Sequence, residues 1–255
     1  MQLTQKKSRR GDLLTAAAVA MLLAVMAALL YTGSLTRQVT NMLIPTAVYI
    51  VMAVSLNLVV GLLGELSLGH AGFMSVGLFS GCLVAIALTN TALPLMVRLP
   101  VSMLAGGLTA AVFGLLVGLP TLRLRGDYLA IVTLACGEII KNIITNLRVT
   151  GGALGLNTSA IYAGAKELLP YGAALVLLTV AVMLNLKRSK YGRAIMAIRD
   201  NRIAAESVGL SVTRYKLAVF VIAAFFAGCA GVLYGHSLAN IKAAAFDYNM
   251  SIEIL

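Results

Sequence analysis

Charge is what this chain has least of. Asp, Glu, Lys and Arg together make up 11% of its 255 residues, and only nine residues are acidic. A water-soluble domain carries roughly 25% charged residues, so a globular fold facing water on all sides is excluded. Cysteine is also scarce. Cys82, Cys136 and Cys229 are odd in number, lie inside apolar segments and match no metal-ligand spacing, so they read as small packing residues. His70 and His236 are the two histidines, and the topology below puts them near opposite sides of a membrane, which leaves no metal site. No Gly-Lys dipeptide occurs, so the chain lacks a phosphate-cradling loop with its Gly-Lys-Ser/Thr end. No nucleophile–base constellation is evident, which argues against an intramembrane enzyme, and the sequence shows no low-complexity tract or obvious repeat.

Apolar residues are what remains: 60% of the chain, with a mean hydropathy of +0.94. A helix needs ~20 mostly apolar residues to cross a bilayer core. Seven candidate spans follow, at 13–31, 42–60, 73–88, 101–119, 128–147, 168–186 and 217–235. The expectation is therefore an all-α, polytopic transmembrane helical bundle of about seven spans, a single domain over 1–255. Its net charge of +11 could suggest nucleic acid, but the placement of the charges says otherwise. With the N-terminus inside, 14 of the 20 Lys and Arg fall on the inner side, including Lys6, Lys7, Arg9, Arg10, Arg123, Arg125 and the cluster from Lys187 to Lys216. That agrees with the positive-inside rule, so the basic balance reports topology and not a nucleic-acid partner. The basic N-terminus imitates a signal peptide, yet its apolar run is long, lacks a small-x-small cleavage site and precedes further spans, so it reads as an uncleaved first span.

Between helices in lipid, association relies on close backbone approach at small residues. Such residues recur every fourth position at Gly106, Ala110, Gly114 and Gly118, again at Ala223, Ala227, Gly231 and Gly235, and at Gly77 with Gly81. Three such stripes in one chain favour internal packing over dimerisation. Gly209 suits a left-handed helix end, and Ser211 is then placed to cap the next helix.

Segment 191–216, YGRAIMAIRDNRIAAESVGLSVTRYK, is basic, helix-prone and set between two apolar runs. It reads as two short helices, 192–199 and 202–208, broken at Asp200-Asn201. Ile195 and Ile198 lie three apart on one side of the first helix, and Arg193, Arg199 and Arg202 mark polar positions. A narrow apolar strip with flanking charge suits a groove in a partner protein. A basic helix lying on anionic lipid, with eight Lys and Arg between Lys187 and Lys216, accounts for the same pattern. Segment 57–81, NLVVGLLGELSLGHAGFMSVGLFSG, combines Gly61, Gly64, Gly69, Gly72, Gly77 and Gly81 with Glu65, Ser67 and His70. So much glycine predicts a broken or re-entrant helix, tolerated where it lines a cavity or is buried in protein. Ionisable residues there shape a pathway or pack an inner gate. In 128–147, Glu138, Lys141, Asn142 and Thr145 share one helical face expected to point into the bundle, with Glu138 and Lys141 placed to pair.

Three motifs in this order carry a resemblance. They are GELSLGHA from Gly64, LRLRGDY from Leu122 with the later TGG from Thr150, and the loop residues Gly192, Arg193, Arg199, Asp200, Asn201, Ala204, Ala205, Glu206 and Gly209. Together they resemble the permeases of ABC importers that serve branched-chain amino acids and, in close relatives, urea or short-chain amides; the likeness covers about 57–255. The resemblance implies the ABC importer permease fold and a place in a bacterial inner membrane with the N-terminus cytoplasmic. It also implies a companion permease subunit, two ATPase subunits that bind the ATP, an extracytoplasmic substrate-binding protein, and no cofactor on this chain. Residues 187–216 become a cytoplasmic coupling loop, with Gly192, Arg193, Ile195, Ile198, Arg199, Asp200, Asn201, Ala204, Ala205, Glu206 and Gly209 as its ATPase-coupling residues. Gly64, Glu65, Ser67, Gly69, His70, Glu138 and Asn142 become candidates for the translocation pathway. The chain stops at SIEIL, where such permeases continue with further glycine-rich membrane helices, so C-terminal helices are expected to be missing. A secondary transporter without an ATPase is the competing class; it calls for polar residues at several span midpoints, and the Glu138 face alone offers them.

Overall fold

A computed structural model describes residues 2–89, 94–121, 124 and 126–255, with side chains from Thr15 onward. Arg123 and Arg125, and the side chains of Lys6, Lys7, Arg9 and Arg10, lie outside the described residues. The helices are α1 (Gln2–Tyr31), α2 (Arg37–Asn57), α3 (His70–Thr89), α4 (Leu95–Thr121), α5 (Asp127–Asn146) and α6 (Ala165–Arg188). There follow the short α7 (Lys190–Asp200) and α8 (Arg202–Ser207), the long α9 (Val212–His236) and the short α10 (Tyr248–Ile254). Among the described residues six helices are long and apolar enough to cross a membrane, and α1 adds a shorter apolar stretch, Thr15–Tyr31. Each of the seven expected spans falls on one of these, because runs of about 20 apolar residues bounded by charge or glycine leave little freedom in where a helix sits.

The centre of the bundle is the trio α3, α4 and α9, with α2 packed on α9 and α6, α1 on α6, and α5 on α3. The small-residue stripes meet there. A Cβ on Gly77 would fall on the backbone of Gly228, Gly106 faces the carbonyl of Gly77, and Gly231 faces that of Met74. Ala224 fills the space opposite Gly114. The backbones come this close because none of these positions carries a bulky side chain, and dispersion contacts replace the hydrophobic drive that lipid removes. Cys82 and Cys229 are buried in this packing, and Cys136 is half-buried. Phe73 and Phe220 meet edge to face, with centroids 5.3 Å apart, where α3 and α9 begin.

At the end of the bundle away from the basic loop, β1 (Leu156–Asn157) and β2 (Asn240–Ile241) pair antiparallel, and Thr158 N donates to Ala239 O at 2.9 Å. The chain then turns back into the bundle. Phe246 packs on Phe79, and α10 lies against α2, α3 and α5. Asp247 caps α10 by accepting from Met250 N at 3.2 Å, which holds its carboxyl below the usual carboxylate range. Ser251 Oγ accepts from Ala71 N at 3.2 Å, tying α10 to the first turn of α3.

Candidate functional site

The basic loop between α6 and α9 folds as two helices, and its caps explain where they start and stop. Ser189 accepts from Gly192 N at 3.1 Å and opens α7; Asn201 ends α7 and opens α8 by accepting from Ala204 N at 3.0 Å. Gly192 sits against the backbone of Leu186 and Lys187 at the sharp α6–α7 corner. Arg202 Nε donates to Glu206 Oε1 at 2.8 Å along the exposed side of α8. Gly209 takes the left-handed conformation (φ +85°), and the chain enters α9 at Ser211, whose side chain makes no capping bond there.

The apolar strip of α7 is not offered to a partner. Ile195 is 2% exposed and joins the main core, and Ile198, 3% exposed, packs with Ala205, Val212, Leu210 and Tyr215. Spacing identified the correct face of α7, but that face closes on the chain's own α9 and on the end of the second span. The loop instead presents Ile203 (79% exposed) and Val208 (76%), together with Tyr191, Arg193, Asp200, Asn201, Ala204 and Glu206. Ile203 carries a sequence signal of its own, a large apolar residue whose neighbours at helical spacing, Arg199, Asp200, Glu206 and Ser207, are all polar; Val208 has none, since Ala204, Ala205 and Val212 lie at helical spacing from it.

The second expected region is a broken helix. The span Arg37–Leu63 ends in a π-helical turn, Leu58–Leu63, in which Glu65 N still reaches Val59 O at 3.2 Å. Gly64 then turns left-handed (φ +77°), residues 64–69 are not helical, and α3 starts at His70. Such backbone inside a bundle must be covered by protein; Gly64 is exposed, and the cover begins at Ser67. Leu68 N donates to Thr133 Oγ1 at 3.1 Å, Gly69 lies against the backbone of Thr133, and Ser67 is buried. His70 is buried too, with Nε2 and Ser55 Oγ 2.8 Å apart across the break.

These two regions touch. Arg199, on the last turn of α7, donates from Nη1 to Gly61 O at 2.9 Å and from Nη2 to Asp200 at 3.2 Å. Its aliphatic stem lies over Gly64, where a Cβ would meet Arg199 Cγ and Cδ. Lys216, in the first turns of α9, forms a buried ion pair with Glu65. Gly64 and Glu65 therefore lie beside the basic loop, while Gly69 and His70, further along the break, pack on Thr133 of α5 and Ser55 of α2. Lys216 is not among the site residues expected from the sequence, although its charge complements that of Glu65 and both are expected at the same end of the bundle.

Glu138 borders this group, lining a small cleft with Leu68, Gly72, Asp247 and Ser251, whereas Asn142 lies apart from it on the exposed side of α5. Glu138 and Lys141 form the expected ion pair, but their face of α5 is only half-buried and Asn142 is exposed. The face of α5 that enters the bundle carries Leu129, Ala130, Thr133, Ile140 and Ile144. α5 keeps its apolar stripe for α3 and leaves its polar stripe on the flank, where Glu138 faces the cleft toward α10.

Residues 38–255 match the family described as branched-chain amino acid transport system / permease component. The chain is 35% identical over 249 residues to the high-affinity branched-chain amino acid transport system permease protein LivM of Salmonella typhimurium, which covers 82% of this chain and 55% of that one. LivM of Escherichia coli is 36% identical over 243 residues, with the same shares of 82% and 55%. The autoinducer 2 import system permease protein LsrC of an Enterobacter species is 31% identical over 152 residues, 55% of this chain and 41% of the relative. The chain spans about half the length of the LivM proteins it matches. No solved structure matches it.

Proposed function

Since the chain belongs to the permease-component family of branched-chain amino acid transport systems, we propose that it is a pore-forming subunit of an ATP-driven importer for branched-chain amino acids. The observation that carries this reading is the two-helix loop between α6 and α9, capped at both starts and presenting Ile203 and Val208 to the outside. Two large apolar side chains held outward, Ile203 on the short, charged α8 and Val208 just past its end, suit a groove on another protein. The partner is an ATPase subunit, and a pair of such subunits binds the ATP. A companion permease completes the pore, and an extracytoplasmic binding protein delivers the substrate. The N-terminus and the basic loop face the cytoplasm of a bacterial inner membrane, in keeping with the clustering of Lys and Arg there.

Transport is then alternating access. The loaded binding protein docks outside, ATP closes the ATPase pair inside, and the loop passes that motion to the bundle. The segment from Gly64 to His70 borders the pathway on the inner side. The reading is tested by ATP hydrolysis of the complete complex in proteoliposomes, with the binding protein empty, leucine-loaded or urea-loaded. Stimulation by the leucine-loaded protein is expected. Stimulation by the urea-loaded protein alone would keep the mechanism and replace the substrate, and no stimulation in any state would overturn the reading.

A further inference from the structure

We propose that Arg199 and Lys216 clasp the turn at 61–65, so that the basic loop and the break in the second span move as one body, with Arg199 as a positioning residue of the transport cycle. This rests on the reading of the chain as an ATP-driven permease subunit and adds the internal link by which the loop's motion reaches the bundle.

The chemistry of the turn asks for such a clasp. The last carbonyls of a helix have no partner within it, and a cationic donor placed there satisfies them and complements the negative end of the helix. Gly61 O belongs to the last turn of Leu58–Leu63, and Arg199, from 138 residues further along the chain, supplies that donor at 2.9 Å. Gly64 serves the clasp twice. Its φ of +77° lets the chain turn, and its lack of a side chain leaves room for the stem of Arg199. One residue on, Glu65 is held by Lys216 from α9. Cations on α7 and α9 thus hold the same turn from two sides.

Residues 64–69 have no helical ladder of their own, and among the described residues Glu65 Oε2 and Ser67 Oγ are buried without a hydrogen-bond partner. The segment ends at His70, bonded to Ser55 across the break, and at Ala71, bonded to Ser251 of α10. A displacement of α7 therefore reaches Gly61 through Arg199 and, along the short stretch of chain from 61 to 71, the contacts of His70 with Ser55 and of Ala71 with Ser251 of α10.

The test uses the complete importer in proteoliposomes, with wild type, Arg199→Ala and Arg199→Lys. Arg199 is partly exposed, so its truncation leaves the core untouched. Substrate uptake per ATP hydrolysed is measured together with amide exchange of residues 61–70 and 202–207, with and without ATP. Arg199→Ala is expected to keep the ATPase subunits bound and to lower uptake per ATP about tenfold, as loss of one charge-assisted hydrogen bond does. The ATP-dependent change in exchange should vanish at 61–70 and persist at 202–207, and Arg199→Lys should recover part of both losses. An unchanged uptake per ATP, or an unchanged response at 61–70, would overturn the clasp. Release of the ATPase subunits by Arg199→Ala would also overturn it, placing Arg199 on the docking face while leaving the permease reading intact. Failure of the wild-type complex itself to couple uptake to ATP would remove both.

Discussion

The α3–α4–α9 trio and the turn at 61–65 are both built on glycine, and glycine works in opposite directions in the two. In the trio it removes side chains so that backbones touch: Gly77 lies on Gly228, and neither could carry a Cβ without displacing main chain. That contact is stiff, because nothing between the helices can rearrange. At the turn Gly64 ends a helix, and what fills the space beside it is the flexible stem of Arg199. The trio is a frame and the turn is a joint. A chain that must change shape while staying in one piece needs both, and this one keeps them at different levels of the bundle.

The comparison can be broken first at the joint. Lys216→Met leaves Glu65 as a buried, unpaired carboxylate and is expected to cost about 3–5 kcal/mol of stability, read as a lower thermal unfolding midpoint in detergent. Adding Glu65→Gln should return most of that loss, because the buried charge is gone; a double variant as unstable as the single one would show that the pair is not what holds the turn. The frame responds differently. Gly77→Ala should cost about 1–3 kcal/mol through over-packing, and no second substitution of charge should rescue it. Equal recovery by the Glu65→Gln change in the Gly77→Ala background would mean that frame and joint are not separate. A smaller effect is expected at Asn201→Ala, which removes the side-chain cap of α8 and should cost about 1 kcal/mol. Faster amide exchange confined to 202–207, with an unchanged global unfolding midpoint, is the result that places α8 outside both frame and joint.

The sequence was most legible where a local rule suffices. Apolar runs located every span, Gly209 and the Asp200-Asn201 break divided the loop correctly, and the glycines of 57–81 announced a helix that does not continue. Legibility failed where the outcome depends on what lies opposite. The spacing of Ile195 and Ile198 defined a face of α7, but a spacing does not say whether that face meets a partner or the chain's own α9. Glu138 and Asn142 share a polar face of α5, and only the packing of α5 separates them, Glu138 at the cleft toward α10 and Asn142 on the exposed side. Glu65 and Lys216 are 151 residues apart, so their pairing became visible only once α2 and α9 stood side by side.

The central claim is that the loop keeps its buried face for its own bundle and gives Ile203 and Val208 to an ATPase subunit. Co-purification of the ATPase subunits with the Ile203→Glu, Val208→Glu double variant tests it most directly. Both side chains are more than three-quarters exposed, so the variant should unfold at the wild-type temperature. Loss of the ATPase subunits from an otherwise stable permease is the predicted result. Retention of those subunits at the wild-type level would contradict the account.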